Sequence, residues 1–284
     1  MKLRRTWLFV PGADEAAHAA AARSGADVIV LELEDFTPPD LRPKARALSP
    51  QALERWRKAG ATSAVRINPL ESGGREDLLG VIAAHPELIM MSKVAAPEQV
   101  RALDEATGGA VELVPNIESA AGLVRAFDIA RASKRVAAML LASEDMAADL
   151  GTERSRTGEE LAYVRARFLV ECRAAGVEAI DCPYTFSDQK GAVADARYAK
   201  GLGYRMKSLV DPWHARAINA VFTPQPAELK RATRIVHAFE KARAQGKDRA
   251  NVDGALVEVP IYAAAKRLLE SSAHSSPLRK RKAR

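Results

Sequence analysis

Short apolar runs alternate with longer, partly polar segments along most of the chain. Each run is five to seven residues long, which is typical of a strand buried on both faces. The segments between the runs are alanine-rich or amphipathic, and several end in glycine, as helices commonly do. The pattern predicts eight strands, at residues 6–10, 27–33, 63–67, 88–92, 111–117, 136–142, 178–182 and 205–210.

Eight strands that alternate with helices predict a (β/α)8 barrel, the TIM barrel. The alternative is an open doubly wound sheet, which usually carries a glycine-rich phosphate-binding turn after its first strand. Residues 10–15, VPGADE, contain a single glycine at that place, Gly12. The sequence therefore favours the barrel.

The chain continues well beyond the eighth predicted strand. Residues 224–246 have the periodicity of a long amphipathic helix, and the residues after them predict a turn, a short strand and another helix. We assign residues 1–223 to the barrel core, and residues 224–270 to a final barrel helix and a C-terminal extension or lid. Residues 271–284 are serine-rich and then basic, and we expect a disordered tail there.

The formal net charge of +7 arises mostly in that tail, where five of the last six residues are basic. The rest of the chain carries 38 Lys and Arg residues against 36 acids and is nearly neutral. Because no aromatic residues are interleaved with the basic run, the charge argues against a nucleic-acid partner.

The remaining composition indicates a cytoplasmic protein. The two cysteines build neither a disulfide framework nor a metal-binding pair. No apolar run is long enough to span a bilayer or to form the core of a signal peptide, so we expect no membrane partner.

Charged and polar residues cluster where the predicted strands end. In a barrel of this kind, functional groups lie at the carboxyl ends of the strands, so these residues are predicted to form a ring at the mouth. The residues are Glu32, Glu34, Asp35, Arg66, Asn68, Lys93, Asn116, Glu118, Glu144, Asp145, Asp181, Tyr184, Lys207, Asp211 and His214.

Glu118 and Asp145 stand out in this ring because they are 27 positions apart, one strand–helix–strand repeat. They should therefore lie side by side. Two carboxylates without histidine or cysteine suit a hard cation, Mg²⁺ or alternatively Mn²⁺. Arg66 can grip a carboxylate or carbonyl oxygen with its forked guanidinium. A metal and an arginine facing a 2-oxo acid would stabilise an enolate, the charge that develops in carbon–carbon cleavage.

Other interpretations of these residues stay open at this point. Glu118 and Asp145 could be helix-capping acids, Arg66 a structural ion pair, and Lys93 a salt-bridge partner of one of the acids. Further expectations concern single side chains: Glu144 directed away from Asp145 towards a basic residue, Asp149 on a helix surface or cap, Cys172 in the core, and His18, His85, His237 and His274 facing solvent.

Seven segments resemble the HpcH/HpaI aldolase/citrate lyase family, above all its stand-alone citrate lyase beta-subunit-like branch. In order and spacing typical of that family, they are RRTWLFVPG, GADVIVLELEDFTPP, AVRIN, MSKV, NIESAAG, SEDMAADLG and AIDCPYTFSD. The resemblance extends to about Leu269.

The resemblance implies a lyase with a TIM barrel that binds Mg²⁺ and assembles as a homotrimer or homohexamer. Its substrate would be a hydroxyacyl-CoA such as citryl-, malyl- or citramalyl-CoA, or a 2-oxo acid aldol. Carried over by position, the implied roles are as follows: metal ligands, Glu118 and Asp145; catalytic residues, Arg66, Asp35 (with Glu34 in support) and Glu258; substrate-binding residues, Arg66, Lys93, Ser143, Glu144 and Asp145.

Four positions depart from the family pattern. Ala121 replaces an arginine, Ser143 a glycine, Asp211 a histidine, and Glu258 in GALVEVP replaces the family's C-terminal aspartate. A side chain longer by one methylene moves an acid by about 1 Å, a displacement that can cost ~100-fold in rate. The changes at Ala121, Ser143 and Glu258 motivate an alternative function, a catalytically degenerate protein that binds small dicarboxylates or CoA esters.

Overall fold

The computed structural model describes residues 3–109 and 111–275. The chain divides into two compact units: a barrel unit, Arg4–Phe222, and a C-terminal unit that begins at Thr223 and also takes in Leu3. The sequence placed the boundary one residue later, after residue 223.

Eight parallel strands form a closed barrel, in which each strand pairs with the next and β1 pairs with β8. This confirms the predicted (β/α)8 architecture. The strands are β1 Thr6–Pro11, β2 Val28–Glu32, β3 Thr62–Ile67, β4 Leu88–Met91, β5 Glu112–Ile117, β6 Ala138–Leu141, β7 Glu178–Asp181 and β8 Met206–Leu209.

Helices connect the strands on the outside of the sheet. The barrel helices are α1 Glu15–Ser24, α2 Arg42–Lys58, α3 Gly74–Val81, α4 Pro97–Ala106, α5 Ala120–Val124, α6 Ala126–Arg131, α7 Ser143–Asp149, α8 Ala162–Ala175, α9 Gln189–Leu202 and α10 Ala215–Phe222. The helix that follows β8 in the barrel unit is thus α10. The sequence did not predict it and placed the final barrel helix within residues 224–270 instead.

Local sequence signals explain several helix ends. Asp14 and Asp188 begin α1 and α9 by accepting backbone N–H groups three residues further on, at distances of 3.0 and 2.7 Å. Gly203 ends α9 with a left-handed φ of 116°, a conformation that glycine adopts without steric cost.

Two apolar layers hold the barrel together. One lies between the sheet and the helices and includes Leu31, Trp56 and Phe168. The other fills the barrel interior and contains only strand residues: Trp7, Phe9, Val28, Val30, Ala64, Leu88, Met90, Val114, Ala138, Leu140 and Ile180. Because side chains alternate along a strand, these residues show which positions face inward.

The C-terminal unit consists of α11 Pro226–Ala244, β9 Ala250–Val252, β10 Ala255–Val257 and α12 Val259–Ser275. The rings of Phe239 and Tyr262 stack in its core with centroids 4.7 Å apart. Residues 271–275 belong to α12, so the first part of the predicted disordered tail is helical, and residues 276–284 lie outside the described part. In the described ranges, no helix combines the length and the hydrophobicity needed to traverse a bilayer.

Candidate functional site

The centre of the site is Arg66, at an inward-facing position near the end of β3. Its side chain is buried, and its Nε donates to Glu32 Oε1 at 2.9 Å. Its guanidinium lies over the ring of Phe9 at 5.1 Å and over the ring of Phe36 at 6.0 Å. Two rings and one carboxylate therefore fix the orientation of the guanidinium.

Glu32 is a residue of this site that the sequence reasoning listed but gave no role. It is fully buried and pairs in register with Arg66 across β2 and β3. Besides Arg66, it accepts the backbone N–H groups of Glu34 and Phe36, each at 2.6 Å. Glu32 thus ties Arg66 to the loop after β2. The sequence did contain a signal for this. Glu32 follows Val28 and Val30 at a spacing of two residues, so the three side chains face the same side of β2.

Glu34, Asp35 and Lys93 extend the cluster towards the mouth. Arg66 forms an ion pair with Glu34 at 3.1 Å, and the ammonium of Lys93 bonds to Glu34 and lies 3.7 Å from Asp35. Burial raises the pKa of Glu34, and the hydrogen bond to Glu34 raises the pKa of Lys93. The backbone of Lys93 is left-handed, with φ of 54°, a strained conformation that is frequent at functional sites.

Glu118 and Asp145 line one cavity of about 310 Å³, as the sequence predicted from their spacing. Lys93, Ser119, Ala148 and Asp149 complete its wall. Glu118 is buried, and neither of its carboxylate oxygens makes a well-formed hydrogen bond to a described residue. Burial raises its pKa to about 8, and the charges of Glu34 and Asp145 act in the same direction against that of Arg66. The backbone N–H of Lys93 lies near enough only to lower the pKa of Glu118 slightly.

The charges at this mouth do not balance. We call Arg66, Glu32, Glu34, Asp35, Lys93 and Glu118 the Arg66 cluster. With Asp145 beside it, five carboxylates face two cations, an excess of three negative charges when all are ionised. Arg66 Nη1 lies 3.8 Å from Glu118 Oε1, too far for a hydrogen bond.

A divalent cation fits this set of donors. Glu118 offers two buried oxygens that make no well-formed hydrogen bond in the described ranges, and Asp145 supplies a second carboxylate. In the described part of the chain, no three His, Cys, Asp or Glu residues gather in a metal-binding group. Mg²⁺ needs only one or two protein carboxylates, because waters and substrate oxygens complete its coordination.

The other predicted residues of this loop separate into different roles. Ser143 is buried at the start of α7. Glu144 is turned away, accepting from Arg154 Nε at 3.2 Å and Thr185 Oγ1 at 2.9 Å, as expected for a neighbour of Asp145. Asp149 accepts the N–H of Ala120 at 2.7 Å and so holds the first turn of α5.

Asp181 and Lys207 are not at the mouth, contrary to the sequence reading. Ile180 and Met206 face the barrel interior, so their neighbours Asp181 and Lys207 face the helices. There they form what we call the Arg165 network: Arg165, Asp181, Asp195 and Lys207. Arg165 donates to both oxygens of Asp181 at 2.9 and 2.7 Å, and Lys207 Nζ meets Asp181 at 2.6 Å and Asp195 at 2.5 Å.

Two further predictions about single side chains have clear outcomes. His18 is buried, not solvent-facing: its Nε2 lies 3.0 Å from the carbonyl oxygen of Pro11 and its ring meets Trp56 edge-on. Burial accordingly lowers the pKa of His18. Cys172 lies in the core, as expected, whereas the side chain of His274 lies outside the described part.

Glu258 belongs to the C-terminal unit, where it directly precedes α12. Its side chain is exposed, and its carbonyl oxygen accepts the N–H of Tyr262 at 3.0 Å. Its predicted catalytic role stays a prediction.

Comparison with known proteins adds independent information. The family model described as HpcH/HpaI aldolase/citrate lyase matches residues 5–212. Citrate lyase subunit beta of Haemophilus influenzae is 33% identical over 282 residues, which cover 95% of this chain and 97% of that protein. The (3S)-malyl-CoA thioesterase of Cereibacter sphaeroides is 33% identical over 262 residues, 89% of either chain.

A solved structure shares the fold over nearly the whole chain. It is that of protein CitE from Mycobacterium tuberculosis in complex with magnesium, acetoacetate and coenzyme A. The TM-score is 0.78 at 25% sequence identity, and the match covers 95% of this chain and 100% of that one.

Proposed function

The chain belongs to the HpcH/HpaI aldolase/citrate lyase family, and from this premise we propose that it is a Mg²⁺-dependent carbon–carbon lyase. The family and its citrate lyase relatives confirm the predicted resemblance and the lyase class. The proposed reaction cleaves, or in reverse condenses, a hydroxyacyl-CoA such as citryl-, malyl- or citramalyl-CoA, or a 2-oxo acid aldol.

One observation carries the proposal: the two buried Glu118 oxygens that make no well-formed hydrogen bond in the described ranges, beside Asp145 and an excess of negative charge. Glu118 and Asp145 would hold the Mg²⁺. The ion supplies a Lewis acid for the negative charge that develops on a 2-oxo group during carbon–carbon cleavage. The magnesium complex of the CitE structure supports the same choice of metal.

The chain's own residues would bind and orient the substrate. Arg66 presents Nη1 and Nη2 from a fixed position, so it can donate to a substrate carboxylate or to the oxygen on which charge develops. Phe9 and Phe36 keep water from the faces of the guanidinium, which strengthens that interaction. Lys93, held by Glu34, keeps a proton at the cavity wall.

The substrate class follows from the same residues and from the relatives. Citrate lyase subunit beta and malyl-CoA thioesterase point to carboxylate-bearing CoA esters, and CitE was crystallised with acetoacetate and coenzyme A. We propose that the backbone around Ser143 and Asp145 meets the substrate carboxylate and that Glu258 supplies the acid. A homotrimer or homohexamer and a cytoplasmic location belong to the proposal as well.

The experiment that tests the proposal measures turnover of citryl-, malyl- and citramalyl-CoA and of oxaloacetate in Mg²⁺ and in EDTA. We expect cleavage of at least one compound in Mg²⁺ and none in EDTA. Asp145→Asn should reduce the rate more than 1000-fold, equivalent to about 4 kcal/mol of transition-state stabilisation.

Asp128→Asn on α6 is the matched control, because Asp128 is exposed and is not among the residues that line the cavity. It should keep the wild-type rate within about threefold. Full activity in EDTA would refute the proposal. Tight binding of these esters without turnover would instead establish the degenerate binding protein, and release of free CoA without carbon–carbon cleavage would establish a thioesterase.

A further inference from the structure

Asn116 lies one inward-facing position below Glu118 on β5. Val114, the next inward residue, belongs to the core of the barrel interior, so Asn116 shares that face. Its side chain is fully buried, and neither amide atom meets a hydrogen-bonding protein atom in the described ranges. Such a buried amide is unfavourable, because its donor and its acceptor both lose water on folding.

Position separates Asn116 from other buried polar groups. The hydroxyl of Thr62 is equally buried and also lacks a protein partner among the described residues, but it lies at the first residue of β3, the opposite end of the barrel. Asn116, in contrast, lies directly beneath Glu118. The two carboxylate oxygens of Glu118 also make no well-formed hydrogen bond to a described residue.

We propose that Asn116 is a positioning residue for Glu118 and acts through one buried water molecule. The inference rests on the proposed role of Glu118 as a Mg²⁺ ligand. Two residues of a parallel strand span about 6.6 Å, and two hydrogen bonds through one water span about 5.6 Å. The amide, through either its oxygen or an N–H group, and a Glu118 oxygen supply two partners, the lower end of the two to four that a buried water needs.

The bridge would fix one oxygen of Glu118 from below and leave the other directed into the cavity. Ligands of metal ions are commonly oriented in this way by a second layer of hydrogen bonds, and removing such a partner weakens metal affinity by about 10- to 100-fold. Asn116 would therefore act on the metal through the geometry of Glu118, without touching the metal.

Asn116→Leu tests the inference, because leucine has a similar shape and cannot bind water. Calorimetric titration of the full-length protein with Mg²⁺ should give a Kd about 10- to 100-fold weaker than in the wild type. The metal-free Tm should stay the same or rise, since a buried amide that has no protein partner in the described ranges and only one water is replaced by an apolar side chain. A merely structural role predicts the reverse, a lower Tm with an unchanged Kd.

Thr62→Val is the matched control, since it makes the same kind of replacement at the far end of the barrel and should leave the Mg²⁺ affinity unchanged. Asn116→Ala introduces no larger side chain, so it decides the question if the leucine variant does not fold. A Kd within threefold of the wild type in the folded Asn116 variant, or an equal loss in Thr62→Val, would overturn the inference alone. Failure of the wild type to bind Mg²⁺ would overturn the proposed function together with it.

Discussion

The Arg66 cluster at the strand ends and the Arg165 network behind the sheet are built from the same kinds of residue. In the Arg165 network, two cations meet two carboxylates, and Arg165 and Lys207 direct five hydrogen bonds or ion pairs of 2.5 to 2.9 Å at the oxygens of Asp181 and Asp195. In the Arg66 cluster, acids outnumber cations, and the two oxygens of Glu118 make no well-formed hydrogen bond in the described part of the chain.

The difference separates a structural role from a functional one. A balanced and fully hydrogen-bonded group of buried charges has nothing left to offer a ligand, whereas an unbalanced one attracts a cation and keeps donors for an anion. The pKa directions agree with this distinction. Lys207 and Arg165 lower the pKa of Asp195 in spite of its burial, whereas burial outweighs the charge of Arg66 and raises the pKa of Glu118.

Loss of one charge from the balanced network should have the largest effect on stability. Lys207→Met leaves Asp181 and Asp195 facing Arg165 alone, so we expect the free energy of unfolding to fall by about 3–5 kcal/mol. Chemical denaturation measures this free energy of unfolding. The Mg²⁺ affinity of the folded variant should stay unchanged. Lys207→Met combined with Asp195→Asn restores the charge balance and should recover a large part of the loss; no recovery would mean that packing, not charge, dominates.

Glu32→Gln should affect the Arg66 cluster through binding more than through stability. The NH2 group of glutamine would face an N–H group that now donates to Glu32. That hydrogen bond would be lost, so Arg66 would no longer be held in place against the loop after β2. We expect oxaloacetate affinity in Mg²⁺, measured by calorimetry, to weaken about 10- to 100-fold, equivalent to about 1.4–2.8 kcal/mol.

The control for Glu32 is Glu54→Gln on α2, a replacement at an exposed glutamate that pairs only with Arg57 and Lys58 on the surface among the described residues. Such a pair contributes little, so this variant should bind like the wild type. Wild-type affinity in Glu32→Gln would show that Glu34 and the aromatic neighbours hold Arg66 without Glu32.

The last expected effect is the pH dependence of the metal-free protein. Because the pKa of Glu118 is raised from an ordinary 4.5 to about 8, the folded state holds one more proton than the unfolded state between these values. Stability is therefore greatest near the lower value and falls as pH rises towards the higher one. In the Arg165 network, Asp195 and Lys207 keep their charges across this range, because the pKa of Asp195 is lowered and that of Lys207 is raised.

Denaturation at pH 5 and at pH 8 measures this slope. Glu118→Gln should flatten it and raise the stability of the metal-free protein at pH 8, since the charge that is costly to bury is removed. An undiminished slope in Glu118→Gln would assign the titration to another group.

Much of the barrel could be predicted from the sequence, because a strand buried on both faces leaves a readable apolar run. Each observed strand falls within two residues of a predicted one; β6, for example, was expected at 136–142 and is observed at Ala138–Leu141. The pairing of Glu118 with Asp145 followed from the length of one strand–helix–strand repeat.

The rest depended on which face of a strand a residue occupies. Asp181 and Lys207 were assigned to the mouth because they stand near strand ends, yet a shift of one position turns a side chain to the other face of the sheet. Glu32 matters because the fold brings it against Arg66, and Asn116 because it has no hydrogen-bonding protein partner in the described fold. Spacing along the sequence reveals neither fact. The helix α10 was missed because it has only eight residues. It also follows directly on the turn Asp211–His214, so the two together have the sequence of a loop.

The two rings beside Arg66 have a consequence for the thermodynamics of binding. A mobile arginine carries about 2 kcal/mol of rotamer entropy, which it would lose on gripping an anion. Here Phe9, Phe36 and Glu32 restrict the side chain as soon as the barrel folds. An incoming carboxylate therefore meets a preorganised donor, and its association should carry little entropic penalty from the protein.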